Sequence, residues 1–217
     1  MLTPDEVLAQ LGAPLTAHLE KLDLRGRALP GARFERGSLR SIGLAEADLR
    51  GASLAGTELV GCDLTGARLG GATIEGGRVE ACDLSRGRAH GLSLRHTTLS
   101  DCRFMGADLT GSRWRSVAVE AGDTGYMGLE RAVLIDVSFR HARMGGSPLM
   151  RVRLAGAFLL HCDLQHANFY GADLRGAVLV GTDLSGACFA GADLTGAVLI
   201  DCPTARTDWA DCVRPGS

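Results

Sequence analysis

The chain has 217 residues, a formal net charge of −2 and a hydrophobic fraction of 46%, so it can bury a continuous core and carries no strong overall field. Aromatic residues make up only 5%, which means that smaller side chains must fill that core. The N-terminus carries acids without a basic segment, and no apolar run approaches the roughly 20 residues of a membrane helix. These features exclude a signal peptide and a membrane partner, and they predict a cytoplasmic location.

The first predicted element is a short N-terminal helix over residues 3–11. Thr3 is a good N-cap, Pro4 suits the first helical turn, and Glu6 completes a capping box three residues after the threonine. Gly12 then ends the helix. We expect residues 1–14 to cap the element that follows.

The next feature is a repeat of five residues. From Leu19 to Leu199 every fifth residue is apolar except Thr124. A helix repeats at 3.6 residues and a strand at 2, so neither produces a lasting period of five. A small residue stands two positions before most of the large ones, and Gly often stands two positions after. One large and one small inward position in every five indicate a chain that turns a corner once per repeat.

Four such corners make a square coil of 20 residues, and successive coils would pair as parallel strands about 4.8 Å apart. Residues 15–202 therefore predict an all-β solenoid of about nine coils and roughly 44 Å. The pattern departs around 117–150, where Thr124 occupies a core position. Residues 203–217 are expected to form a C-terminal cap or tail, in which Trp209 continues the phase and can plug the last coil.

The repeating unit reads Ala-Asp-Leu-x-Gly, as at 172–176 and 192–196. It resembles the A(D/N)LxG motif of the pentapeptide-repeat family, and the resemblance covers most of the chain. It implies a right-handed quadrilateral β-helix. The best-understood members of that family are quinolone- and albicidin-resistance proteins, which resemble duplex DNA in shape and bind DNA gyrase.

The sequence offers little to catalysis. It contains no Walker loop, H-E-x-x-H or G-x-S-x-G motif, and a convex rod has no enclosed pocket, so we expect no enzyme activity and no cofactor. His141 and His161 should stack at one corner; with His166 they leave a metal site as the minor alternative to solvated surface residues, and we expect no metal. Cys188 should be the most reactive thiol. The other cysteines stand at inward positions and should be buried: Cys62, Cys82, Cys102, Cys162, Cys202 and Cys212.

Arranging the sequence on a 20-residue period places large apolar residues in two adjacent outward columns over three consecutive coils. They are Phe158, Leu160, Val178, Val180, Val198 and Ile200. A contiguous apolar patch on a surface usually marks an interface, so these residues predict a homodimer joined through the C-terminal coils. The alternative is that residues 203–217 cover the patch.

The same arrangement places acidic residues in one outward column of the side centred at Leu24. The predicted partner-binding members are Asp63, Asp83, Asp123, Asp163 and Asp183. Because Asp is common at this motif position, the alternative is a set of solvated corner residues that are hydrogen-bonded to the backbone.

Two functions of different classes remain. In the first, suggested by the resemblance, the rod binds a bacterial type II topoisomerase, DNA gyrase, and protects it from a poison, with no direct contact to nucleic acid. In the second it is a scaffold or regulatory module with an unrelated target. A 44 Å duplex carries about 26 negative charges, whereas this chain has 25 acids and 23 bases. Any mimicry of DNA must therefore be local.

Overall fold

The structure, a computed structural model, describes residues 3–10, 13–16 and 18–213. Within these residues the chain forms one short helix followed by a parallel β-solenoid of about nine turns. The all-β solenoid predicted from the five-residue period is therefore confirmed. No helix in the described part of the chain combines the length and apolar character that crossing a membrane requires.

The strands are short, because each side of a coil is only five residues long. The elements in chain order are α1 Pro4–Ala9, β1 His18–Glu20, β2 Ser38–Arg40, β3 Ser53–Ala55, β4 Glu58–Val60, β5 Thr73–Glu75, β6 Arg78–Glu80, β7 Ser93–Ser100, β8 Arg113–Glu120, β9 Val133–Arg140, β10 Phe158–Leu160, β11 Val178–Val180 and β12 Val198–Ile200.

Every strand pairs in parallel with the segment 20 residues away, as β10 does with β11 through Phe158 and Val178. Backbone φ angles are positive at Lys21, Gly26, Gly31 and Arg36, one corner every five residues. Each coil thus has four corners and four sides. Glycine adopts such angles readily, which explains why it recurs at the corner position.

The four sides are numbered here by their first core residue. Side 1 begins at Leu19, side 2 at Leu24, side 3 at Leu29 and side 4 at Phe34, and each recurs every 20 residues. In a four-sided coil side 2 lies opposite side 4. This geometry places the acidic column on side 2 and the apolar patch on side 1.

The core contains the large residue of each side and the small residue beside it. Polar small residues are tolerated because the carbonyl groups of the preceding coil accept their hydrogens. Thr57 Oγ1 donates to the Phe34 carbonyl at 2.8 Å, and Thr182 Oγ1 donates to the Leu159 carbonyl at 3.0 Å. Thr124, the one polar residue in the large series, donates instead to a carbonyl of the following coil, that of Arg143, at 2.9 Å.

Helix α1 begins as its sequence predicts. Thr3 accepts the backbone N–H of Glu6 and the Glu6 carboxylate accepts the Thr3 N–H, so both halves of the capping box form. The helix ends at Ala9 with Gln10 as its C-cap, two residues earlier than predicted, while Leu11 and Gly12 lie outside the described residues. Val7 is fully buried and attaches the helix to the core.

The central and C-terminal stretches keep the ladder of the solenoid. Through 117–150 the strands remain in the 20-residue register, as Val117 opposite Val137 shows. Residues 203–213 also continue the ladder, with Asp208 paired to Cys188. The Trp209 ring stacks on Phe189 with 4.8 Å between centroids, so it continues the aromatic column of side 3 into the last described coil.

Candidate interaction surfaces

The acidic column occupies one outward row of side 2. Parallel bridges join Asp63 to Asp83 and Asp163 to Asp183, which places these carboxylates in two adjacent pairs. Asp123 stands alone between them, because Arg103 and Arg143 occupy the intervening rungs of the same row. The Arg103 guanidinium lies 3.8 Å from the Asp83 carboxylate. The row is therefore acidic at two places rather than continuously.

Each carboxylate in this row also stabilises its own side of the coil. In all five cases the Oδ1 atom accepts the backbone N–H two residues later, and the donors are Thr65, Ser85, Gly125, Gln165 and Ser185. This is the Asx turn that Asp and Asn favour. The turn fixes each carboxylate in place. The same side chains therefore fit both expectations, a corner residue bonded to the backbone and a residue that binds a partner.

Arginines two residues after an acid pair with it on the same side. Arg25 donates from Nε and Nη2 to the two carboxylate oxygens of Asp23, and Arg175 binds Asp173 in the same bidentate way. The Arg25 guanidinium lowers the pKa of Asp23 to about 2. The signal for these pairs in the sequence is an acid followed two residues later by an arginine, as in Asp23 and Arg25.

The apolar patch lies on side 1, where β10, β11 and β12 pair in register. Phe158 is 50% exposed, Val198 45% and Ile200 47%, and the other three members are half-buried. The preceding rung carries Ser138 and Arg140, so the patch has a polar boundary on that side. Described residues 203–213 continue the ladder on the sides that follow the patch, and residues 214–217 lie outside the described part of the chain.

The thiols fall into two groups. Cys62, Cys82, Cys102 and Cys162 are buried, and burial raises the pKa of Cys102 and of Cys162 to about 11. A thiol with such a pKa is a poor nucleophile at neutral pH. Cys188, at an outward position, is partly buried. The prediction that Cys202 and Cys212 are buried is wrong: both are only partly buried, because they lie in the last described coil and no complete coil follows them.

The histidines at the corner beside the patch are brought together as predicted. The rings of His141 and His161 stack with 5.4 Å between centroids and 10° between planes. His166 lies at the next corner. The described residues hold no group of three or more His, Cys, Asp or Glu side chains arranged to bind a metal ion.

Comparison with known protein families agrees with the solenoid, the corner at every fifth residue and the repeated motif. The family model for pentapeptide repeats matches residues 44–79, 78–111, 149–186 and 162–201, in eight copies. The chain belongs to the pentapeptide-repeat family. The two central coils outside the matched segments coincide with the sequence departure noted around 117–150, and their backbone keeps the pentapeptide-repeat register.

Solved structures of pentapeptide-repeat proteins share this fold. A trypsin-treated form of QnrB1, a plasmid-mediated fluoroquinolone resistance protein, is 19% identical, with a TM-score of 0.61 over 89% of this chain and 91% of that chain. A second trypsin-treated form is 20% identical, with a TM-score of 0.60 over 88% of this chain and 91% of that chain. No curated protein sequence matches the chain.

Pentapeptide-repeat solenoids are in general structural or binding proteins. A depression of about 500 Å3 near the first coils is lined by charged and backbone groups, among them Arg36, Arg40 and Glu58. It lies on the open outer surface of the rod, which is a poor setting for shifting pKa values towards catalysis.

Proposed function

We propose that this protein is a non-catalytic rod that binds a bacterial type II topoisomerase and protects it from a topoisomerase poison. The observation that carries the proposal is the acidic column of side 2. Its carboxylates are held in a fixed orientation by their own backbone, and each uses only Oδ1 for that bond. Preorganised negative charge on a rod suits a basic channel that normally holds DNA.

The likeness to QnrB1 supports the same proposal, because that protein is a fluoroquinolone resistance protein of the same architecture. The argument from charge applies to parts of the acidic column and not to the whole rod. The row carries two adjacent Asp pairs and a single Asp123, interrupted by Arg103 and Arg143. We therefore place the contact at the two pairs rather than along the whole rod. Binding should weaken as salt rises, since screening acts on exposed charges.

The test is DNA supercoiling by purified gyrase with a fluoroquinolone, with and without this protein. The triple variant Asp63→Asn, Asp83→Asn and Asp163→Asn separates a role in binding from a role in folding. Asparagine keeps the turn, as Asn168 does by accepting the Tyr170 N–H at 3.0 Å. We expect the variant to fold normally and to lose most of the protection.

The matched control removes three carboxylates with the same turn from sides 3 and 4: Asp108→Asn, Asp193→Asn and Asp208→Asn. This control should protect gyrase as well as the original protein does. If a large excess of protein neither restores nor inhibits supercoiling, and no complex forms at low salt, the scaffold function replaces the proposal.

The same rod is proposed to act as a homodimer through the apolar patch. Three adjacent rungs of exposed apolar side chains form a small hydrophobic centre, with Arg140 and His161 at its edge. Interfaces commonly combine such a centre with a polar rim. A twofold axis through the patch joins two identical surfaces and lengthens the rod.

Light scattering tests the dimer. The variant Phe158→Asp with Val180→Asp should be monomeric. The control Met105→Asp with Ile135→Asp places the same change on exposed apolar residues of other sides, which are 50% and 44% exposed, and should remain dimeric. A monomeric mass for the original protein over micromolar concentrations contradicts the dimer.

A further inference from the structure

Side 4 and its neighbouring corner carry a concentration of positive charge in the middle of the rod. The central arginine cluster consists of Arg95, Arg113, Arg115, Arg131, Arg151 and Arg153. All six side chains are exposed. They span four consecutive coils, or about 14 Å along the rod at about 4.8 Å per rung.

The arrangement of the cluster follows from the ladder. Arg113 and Arg115 stand two residues apart on β8, so their side chains leave the same surface of the sheet. Arg95 pairs with Arg115 on the adjacent rung. Arg153 lies two rungs from Arg113, with Val133 between them. Arg95 has Glu75 opposite it on the preceding rung, whereas Arg115 adds a like charge on the following rung, which is unfavourable in the absence of a bound anion.

Five arginines elsewhere on the rod are paired with an acid two residues away, as Arg50 is with Asp48. The cluster has no such ion pair, because β8 has arginine at both positions, Arg113 and Arg115, and the residue two positions after Arg153 is Ala155. In the described part of the chain, no carboxylate lies within 4.0 Å of any of the six guanidinium groups. Asp173, the neighbour of Arg153 on the next rung, is already bound by Arg175.

We propose that the central arginine cluster is a binding surface for the phosphate backbone of nucleic acid. Guanidinium groups bind phosphate oxygens through two parallel N–H bonds, and six of them on a flat surface suit an extended polyanion. A 14 Å length of duplex carries about eight phosphate charges, of which about half can face one protein surface. The number of arginines and the number of phosphates are therefore comparable.

A nucleic acid suits this surface better than an acidic protein does. Protein interfaces usually centre on large apolar or aromatic side chains. Here the exposed apolar residues are Ile135 on side 4 and Tyr170 beside Arg151 on side 3, so they form no common centre, and Trp114 is covered completely. Phosphate binding needs no such centre, because release of counterions supplies most of its free energy.

This proposal departs from the expectation, drawn from net charge and family resemblance, of no direct contact with nucleic acid. The net charge of −2 is a sum over the whole chain and does not describe the local charge of the cluster. Sides 2 and 4 are opposite, so nucleic acid on side 4 leaves the acidic column free. The proposal does not depend on the topoisomerase, and its test uses none.

The test is fluorescence anisotropy of a labelled duplex of about 20 base pairs, titrated with the full chain between about 50 and about 200 mM salt. With about four phosphates facing the cluster, the slope of log K against log salt should be about −4, at about −0.9 for each contact. The variant Arg113→Gln with Arg115→Gln should reduce the slope by about 2 and weaken binding strongly at low salt. Replacing both residues by Lys should retain most of the slope.

The matched control is Arg68→Gln with Arg88→Gln. These arginines are also exposed neighbours on adjacent rungs, but they lie on side 3. The control should bind DNA with an unchanged slope, and circular dichroism should show that both variants fold. Three outcomes overturn the proposal: no binding at about 50 mM salt, equal losses in both variants, or competition by poly-glutamate as effective as that by unlabelled DNA.

Discussion

The Oδ1 atom of Asp163 accepts the backbone N–H of Gln165 at 3.0 Å, within one side of one coil. The same bond recurs at Asp63 with Thr65. Such a bond contributes about 0.5 to 1.5 kcal/mol to stability. We expect Asp163→Ala to lower the free energy of unfolding by about that amount, and Asp163→Asn to have a much smaller effect, because the amide oxygen can still accept.

Chemical denaturation measures this difference, with Asp136→Ala as the control, since the structure gives that exposed corner carboxylate no hydrogen bond. Equal losses for the Ala and Asn variants of Asp163 would show that charge, not the turn, stabilises the coil.

Ser112 and Ser147 are both fully buried at small inward positions, but they differ in bonding. The Ser147 hydroxyl lies 3.4 Å from the Thr124 carbonyl, whereas the Ser112 hydroxyl has no hydrogen-bond partner among the described residues. Since a buried hydroxyl without a hydrogen bond costs about 1 to 3 kcal/mol, Ser112→Ala should raise the free energy of unfolding by about 1 kcal/mol. Ser147→Ala should be neutral or destabilising. A lower melting temperature for Ser112→Ala would mean that its hydroxyl is bonded in solution.

Thiol modification should follow burial. In the folded protein at pH 8 we expect a maleimide to modify Cys188 first, then Cys212 and Cys202, because burial raises the pKa of Cys202. The four buried thiols should react only after unfolding, when all seven are modified. Intact-mass measurements over time count the labels. Early modification of Cys102, whose pKa burial raises to about 11, would contradict the packed core.

Acid should remove a defined part of the stability. The arginines beside Asp23 and Asp48 lower the pKa of each carboxyl to about 2, from an ordinary value of 3.8. A lowered folded-state pKa contributes stability that is present above about pH 4 and is lost as the pH falls towards 2. The difference in melting temperature between the original protein and Asp48→Asn should therefore shrink between pH 5 and pH 2. A constant difference would show that the ion pair with Arg50 does not form.

The sequence predicts the inward half of this molecule well and the outward half poorly. Leu19 and every fifth residue after it must be buried, because an unsuitable side chain at an inward position disrupts packing against the neighbouring coils. The solenoid and its corners follow from that constraint, and the capping box of Thr3 and Glu6 predicts where the helix begins. Outward residues obey no such rule. The five-residue period predicts which side of the coil carries Asp163 and which carries Val180, but it does not predict what either side chain binds.

Side-chain pairing on the surface was also beyond the sequence analysis. The Asx turn at Asp163 depends on which oxygen faces the backbone, and the analysis kept it only as an alternative. The end of α1 at Ala9 rather than Leu11 reflects local competition in the final turn, where helix boundaries are least determined by sequence.

The two tryptophans stand at different depths in the solenoid, which gives the molecule a built-in pair of optical reporters. Trp114 is buried in the middle of the rod, while Trp209 is half-covered in the last described coil. Indole emission shifts to longer wavelength as water reaches the ring, so the two residues emit differently in one folded chain. Replacing one tryptophan at a time lets an unfolding experiment ask whether the centre and the last coil lose their order together.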